Sequence, residues 1–109
     1  MVDRYWRSGS TNWSASASWS SSPGGGGGAV SIPNVNDDVY FLVNATVSSG
    51  GGTCRNLNIQ ASVSWSSTTA MTIGASTTAG TGNLTIDGTL THTGSATFTV
   101  NGDLQINGT

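Results

Sequence analysis

Five segments between Phe41 and Ile106 follow one pattern: apolar, any, apolar, any, small, any, apolar, with Ala or Gly at the small position. They begin at Phe41, Leu57, Met71, Leu84 and Phe98, at intervals of 16, 14, 13 and 14 residues. The second apolar residues are Val43, Ile59, Ile73, Ile86 and Val100, and the small ones are Ala45, Ala61, Ala75, Gly88 and Gly102. Val47, Val63, Leu90 and Leu104 complete four of the five, with Thr77 as the exception. A period of two within each segment puts alternate side chains on one face of a strand. A near-constant spacing between segments predicts a repeat protein of similar β-units. Recurring packing positions specify a shape before they specify a reaction.

The composition agrees with strands. Ser, Thr, Asn and Gly make up 58 of the 109 residues, and there is no Lys and no Glu, so strong helix formers are scarce among the polar positions. The eight charged residues, Arg4, Arg7, Arg55, Asp3, Asp37, Asp38, Asp87 and Asp103, give a net charge of -2. That is too small and too scattered to steer polyanions or a membrane surface, so neither nucleic acid nor a bilayer is an expected partner. No apolar run approaches a membrane span, and Met1 leads directly into Asp3 and Arg4 without a secretory signal. With one cysteine, Cys54, an intrachain disulfide and a cysteine zinc site are both excluded, and a small semi-buried residue at a strand start is expected there.

The chain divides into residues 1–38, a Trp-rich N-terminal cap or docking segment with a Gly-rich loop, and residues 39–109, the five-unit β-repeat. Trp6, Trp13 and Trp19 read first as core of the cap and second as a sugar-stacking or partner-docking face. Gly24 to Gly28 form a loop, and Pro33, Asn34 and Asn36 a turn. Asp87-Gly88 and Asn101-Gly102 resemble hairpin turns. A two-residue hairpin there would point Leu90 and Leu104 outward, so the small residue is taken as an inward corner between two short arms. Two arms of about 13 Å and a five-residue return close a coil of about 14 residues. The fold expected is all-β, a short β-solenoid-like repeat with an N-terminal aromatic cap; the alternative is an antiparallel β-sandwich or barrel. Stacked coils would align Leu57, Met71, Leu84 and Phe98 in one inner column and Ile59, Ile73, Ile86 and Val100 in another. Trp65 is awkward to fit inside such a narrow coil, and coils of roughly 27 to 28 residues, two units each, would give it more room.

No motif carries chemistry. His92 lacks a nucleophile or acid partner at motif spacing, and Asp37-Asp38 are adjacent strand residues that face opposite ways and fix a turn rather than share a substrate. Asp87 and Asp103 read as solvated turn residues rather than a cation site. The glycine runs lack the Lys-Ser/Thr of a phosphate loop. No enzyme activity and no cofactor or metal are expected. Thr89, Thr91, Thr93, Thr97 and Thr99 lie on the outward parity and resemble the Thr-x-Thr rows of ice-binding proteins, although β-propensity alone accounts for them.

The leader runs Arg4-Tyr5-Trp6, Gly9, Asn12-Trp13-Ser14, Ser18-Trp19-Ser20, a Gly-rich stretch, Pro33 and Asp37-Asp38-Val39-Tyr40-Phe41. This order resembles the opening of Gly/Ser/Thr-rich β-repeat proteins of tailed bacteriophages and environmental viral genomes, virion surface or fibre components. The resemblance implies a non-enzymatic structural protein at the virion surface, either a capsid decoration or a fibre component, whose partners are copies of itself or other virion proteins. The alternative is an extracellular glycan- or ice-binding β-module or adhesin fragment, with a surface glycan as ligand. Trp6, Trp13, Trp19, Phe98, Leu104 and Ile106 are the candidate interaction residues. The last three belong to a final unit that nothing after Ile106 covers, so this end is expected to be buried in an intermolecular contact.

Overall fold

The computed structural model describes residues 2–28, 30–74 and 82–109. Strands account for 42% of it and helix for 3%, which is compatible with an all-β chain. The strands are β1 (Asp3–Trp6), β2 (Trp19–Ser20), β3 (Asp38–Phe41), β4 (Ala45–Val47), β5 (Gly52–Cys54), β6 (Asn56–Ile59), β7 (Ser64–Ser67), β8 (Met71–Ile73), β9 (Leu84–Ile86), β10 (Thr89–His92), β11 (Phe98–Val100) and β12 (Leu104–Ile106). They form three sheets. The first has the order β12-β9-β6-β3-β1-β2, the second β10-β7-β4 and the third β11-β8-β5. Every pairing is parallel except β1 with β2.

Alternation within each strand decides which side chains turn inward. In the first sheet Val39, Leu57, Leu84 and Leu104 stand in register, as do Ile59, Ile86 and Ile106 beside Phe41. In the second sheet Ala45, Trp65 and Leu90 align; in the third, Met71 lies between Gly52 and Phe98, and Ile73 between Cys54 and Val100. Apart from Leu104 and Ile106, the apolar residues of these rows meet in one core that also holds Trp6, Trp13 and Trp19. Full burial of each Leu, Ile or Phe contributes about 1.5–3 kcal/mol, so the core is the main source of stability. Trp65 is 1% exposed and sits between Phe41 and Phe98, at centroid distances of 5.5 and 5.8 Å.

The arrangement overturns the expected solenoid-like repeat of equal coils. Leu57 and Leu84 share the first sheet, whereas Met71 and Phe98, expected in the same column, pair in the third. Ile59 and Ile86 separate in the same way from Ile73 and Val100. Along the first sheet the partners Val39, Leu57, Leu84 and Leu104 recur at 18, 27 and 20 residues, where equal coils of one unit would repeat at a single interval. The antiparallel sandwich or barrel is overturned as well, because the neighbouring strands run parallel. The leader joins the first sheet itself: β1 is hydrogen-bonded alongside β3, and β2 follows it. Period-two alternation reports only inward or outward. It says nothing of which sheet a strand joins, and that choice rests on non-local pairing.

The small residues do not share one role either. Ala45 is buried in β4, Ala61 lies exposed in a turn, Gly102 is exposed and Gly88 is buried. The remaining one, Ala75, and the exception Thr77 lie outside the described residues. At Gly88 the backbone bends between β9 and β10, which belong to different sheets.

Candidate interaction surfaces

The six candidate interaction residues fall into two groups. Trp6, Trp13 and Trp19 are 3%, 1% and 0% exposed, so their rings offer no face to a sugar or a partner. They pack on one another and on Phe41, and Trp19 Nε1 donates to the Trp13 carbonyl oxygen at 2.8 Å. Leu104 and Ile106, in contrast, are each 55% exposed, although their in-register neighbours Leu84 and Ile86 are only 3% exposed. Phe98 is half-buried against Trp65 and His92. The two ends of the sheets therefore differ. On the β1 side the interior is filled by the three indoles. On the other side β11 and β12 are edge strands with unpaired backbone groups, while Thr109 bonds to Gly88 and Leu90 beside β10.

The charged residues act mostly as fasteners. Arg4 donates to the Ser31 carbonyl and hydroxyl, and Arg7 to the carbonyls of Trp19, Gly25, Gly27 and Gly28, which ties the glycine loop to β2. Asp37 accepts from the backbone amides of Val2 and Asn34 and so holds the turn before β3, the role its sequence position suggests. Asp87 accepts from the Asn107 amide. Cys54 is fully buried, and burial, reinforced by Asp38 and Asp37, pushes its thiol pKa far up, which makes it a packing residue rather than a nucleophile. His92 Nε2 lies 2.7 Å from the Ala96 carbonyl, with its ring edge-on to Phe98.

No family model, curated protein or solved structure matches this chain.

One surface carries signals that the sequence reading leaves unused. Asn44-Ala45-Thr46, Ser64-Trp65-Ser66 and Thr89-Leu90-Thr91 each place a polar residue on either side of an inward one. Parallel pairing sets the three segments side by side on the outer face of the second sheet. Only Thr89 and Thr91 stand out in the sequence, because the other two segments differ in residue type while sharing the parity.

Asp38 and Arg55 form the ion pair of the described residues. Arg55 Nε donates to Asp38 Oδ1 at 2.8 Å, its Nη2 donates to Oδ2, and Asn56 adds a third donor at 3.0 Å. The Arg55 hydrogen bond, aided by Asn56 and opposed by burial, holds the Asp38 carboxyl below the usual carboxylate range. A carboxyl with a lower pKa folded than unfolded adds stability above about pH 4, and this is lost as pH falls through the folded value. Urea midpoints measured from pH 7 to pH 2.5 are expected to fall on the acid side, and Asp38→Asn is expected to lower the midpoint at pH 7 and flatten the acid limb. Parallel curves for the two proteins would remove the pair from the account.

Proposed function

We propose that this protein is a non-enzymatic structural component of a phage virion, a capsid decoration or fibre component carried at the particle surface. The observation that supports this reading best is the use made of the charged groups. Arg4, Arg7, Asp37, Asp38, Arg55 and Asp87 all hold backbone or side-chain partners in place, which serves a framework rather than a reaction. The resemblance of residues 4–41 to phage β-repeat proteins points the same way. The β11 and β12 edge, with Leu104 and Ile106 exposed beside it, is the proposed face towards a neighbouring virion subunit, because apolar side chains next to unpaired strand groups suit continuation of the sheets by another chain.

The test is mass spectrometry of phage particles purified through successive density gradients from the culture that produces the protein. Its peptides are expected to stay with the major capsid protein at a constant ratio. Peptides confined to particle-free fractions would overturn the reading.

A further inference from the structure

The outer face of the second sheet is the floor of a groove of about 490 Å³, and the segment Gly9–Thr11 forms one wall. Three adjacent parallel segments furnish the floor: Asn44 and Thr46 at β4, Ser64 and Ser66 at β7, Thr89 and Thr91 at β10. Side chains two residues apart on one strand stand about 6.6 Å from each other, and neighbouring strands about 4.8 Å, so the six polar groups form a small grid. Ser10 and Thr11 add hydroxyls from the side.

Among the described residues no charged side chain lines this groove, so it is poorly matched to phosphates, carboxylates or cations. Hydroxyls and an amide both donate and accept hydrogen bonds. Part of that capacity is used within the protein: Ser66 Oγ donates to Thr46 Oγ1 at 3.3 Å, and Asn44 Oδ1 accepts from the Ser64 backbone amide at 2.9 Å. Among the described residues no protein group bonds to the hydroxyls of Thr89, Thr91, Ser10 or Thr11. The wall is fixed before any ligand arrives. The Thr11 carbonyl accepts from the amides of Ser48 and Ser49, the Trp13 amide donates to the Ser49 carbonyl, and Gly9 takes φ +82° to make the turn. A preformed concave site loses little ordering entropy on binding.

From this geometry we infer that the groove binds a neutral carbohydrate, whose many hydroxyls exchange hydrogen bonds with the Ser/Thr/Asn grid. The wall at Gly9–Thr11 makes the face concave, which suits a saccharide chain and obstructs a flat ice plane. Because Trp65 beneath the floor is 1% exposed, no aromatic ring is available for stacking. Recognition then depends on hydrogen bonds alone, so affinity is modest and sensitive to single hydroxyls. The inference holds whether or not the protein rides on a particle.

The full-length protein would be applied to an array of neutral and acidic oligosaccharides, and the best neutral binder titrated by NMR. The expected result is binding of neutral glycans with amide shifts concentrated at residues 44–46, 64–66 and 89–91. Thr91→Val, at an exposed position, should weaken binding at least tenfold with the melting temperature unchanged. Ser66→Phe, which fills the groove, should abolish it. Failure to bind any neutral glycan, binding that both variants retain, or shifts clustered elsewhere would overturn the inference. So would thermal hysteresis activity that Thr91→Val removes, since that would assign the face to ice.

Discussion

Trp19→Ala is expected to destabilise the protein by about 3–5 kcal/mol, the usual range for deleting a fully buried aromatic side chain. The ring is 0% exposed and packs at centroid distances of 4.7 Å from Trp13, 5.0 Å from Trp6 and 6.1 Å from Phe41, so truncation leaves a cavity bounded by three other large rings that cannot all collapse into it. It also removes the Nε1 donor from the Trp13 carbonyl oxygen. For a small domain whose total stability is on the order of 5–15 kcal/mol, this is a large part of the whole. Guanidinium unfolding measures it directly. A loss under about 1 kcal/mol would mean that the indole cluster is not the packed core described above. Removing residues 1–20 should go further, because it strips β1 from the edge of β3 and uncovers Phe41 and Val39; the truncated chain is expected to aggregate.

Gly88→Val is the second large effect. A Cβ at Gly88 would press on the carbonyl oxygens of Val63 and Gln60. Both are backbone atoms, and both are engaged: Val63 O accepts from the Thr89 amide at 2.9 Å, and Gln60 O from the Val63 amide at 3.1 Å. The turn between them contains Ser62 at φ +70°, a left-handed conformation unusual for a residue with a side chain, so this segment has little room to move aside. Overpacking against backbone costs about 1–3 kcal/mol and sometimes more, and the upper end applies here. Even Gly88→Ala should be clearly destabilising. Gly102→Val, at an exposed position, is expected to cost less than Gly88→Val. Thermal melts of the three variants separate the sites, at roughly 4–8 °C per kcal/mol for a domain of this size. Equal effects at Gly88 and Gly102 would restore the idea that all small centres are equivalent inward corners.

The contrast between these two glycines shows how far the sequence reaches. Both occupy the same place in the five-fold pattern, and both follow an Asp or Asn after an apolar pair. Only the structure separates a glycine wedged under the Gln60–Val63 turn from one at the surface. Similarly, the sequence places Trp6, Trp13 and Trp19 together in an atypical leader, but their burial follows from β1 pairing alongside β3 and directing the leader across Ser48 and Ser49.

What the sequence determined by itself is most of the inward set. Phe41, Val47, Leu57, Ile59, Val63, Met71, Ile73, Leu84 and Ile86 are buried, because alternation along a strand is a local property written in consecutive residues, whereas Ala61, Gly102, Leu104 and Ile106 share that parity and are exposed. What only the tertiary structure decided is the assignment of strands to sheets: Leu57 with Leu84, Met71 with Phe98, and the polar grid from Asn44 to Thr91 on one face. Those partners are parallel strands distant from one another in the chain, and a parallel pairing is fixed by which distant edges meet while the core closes, a condition that no short window of residues contains.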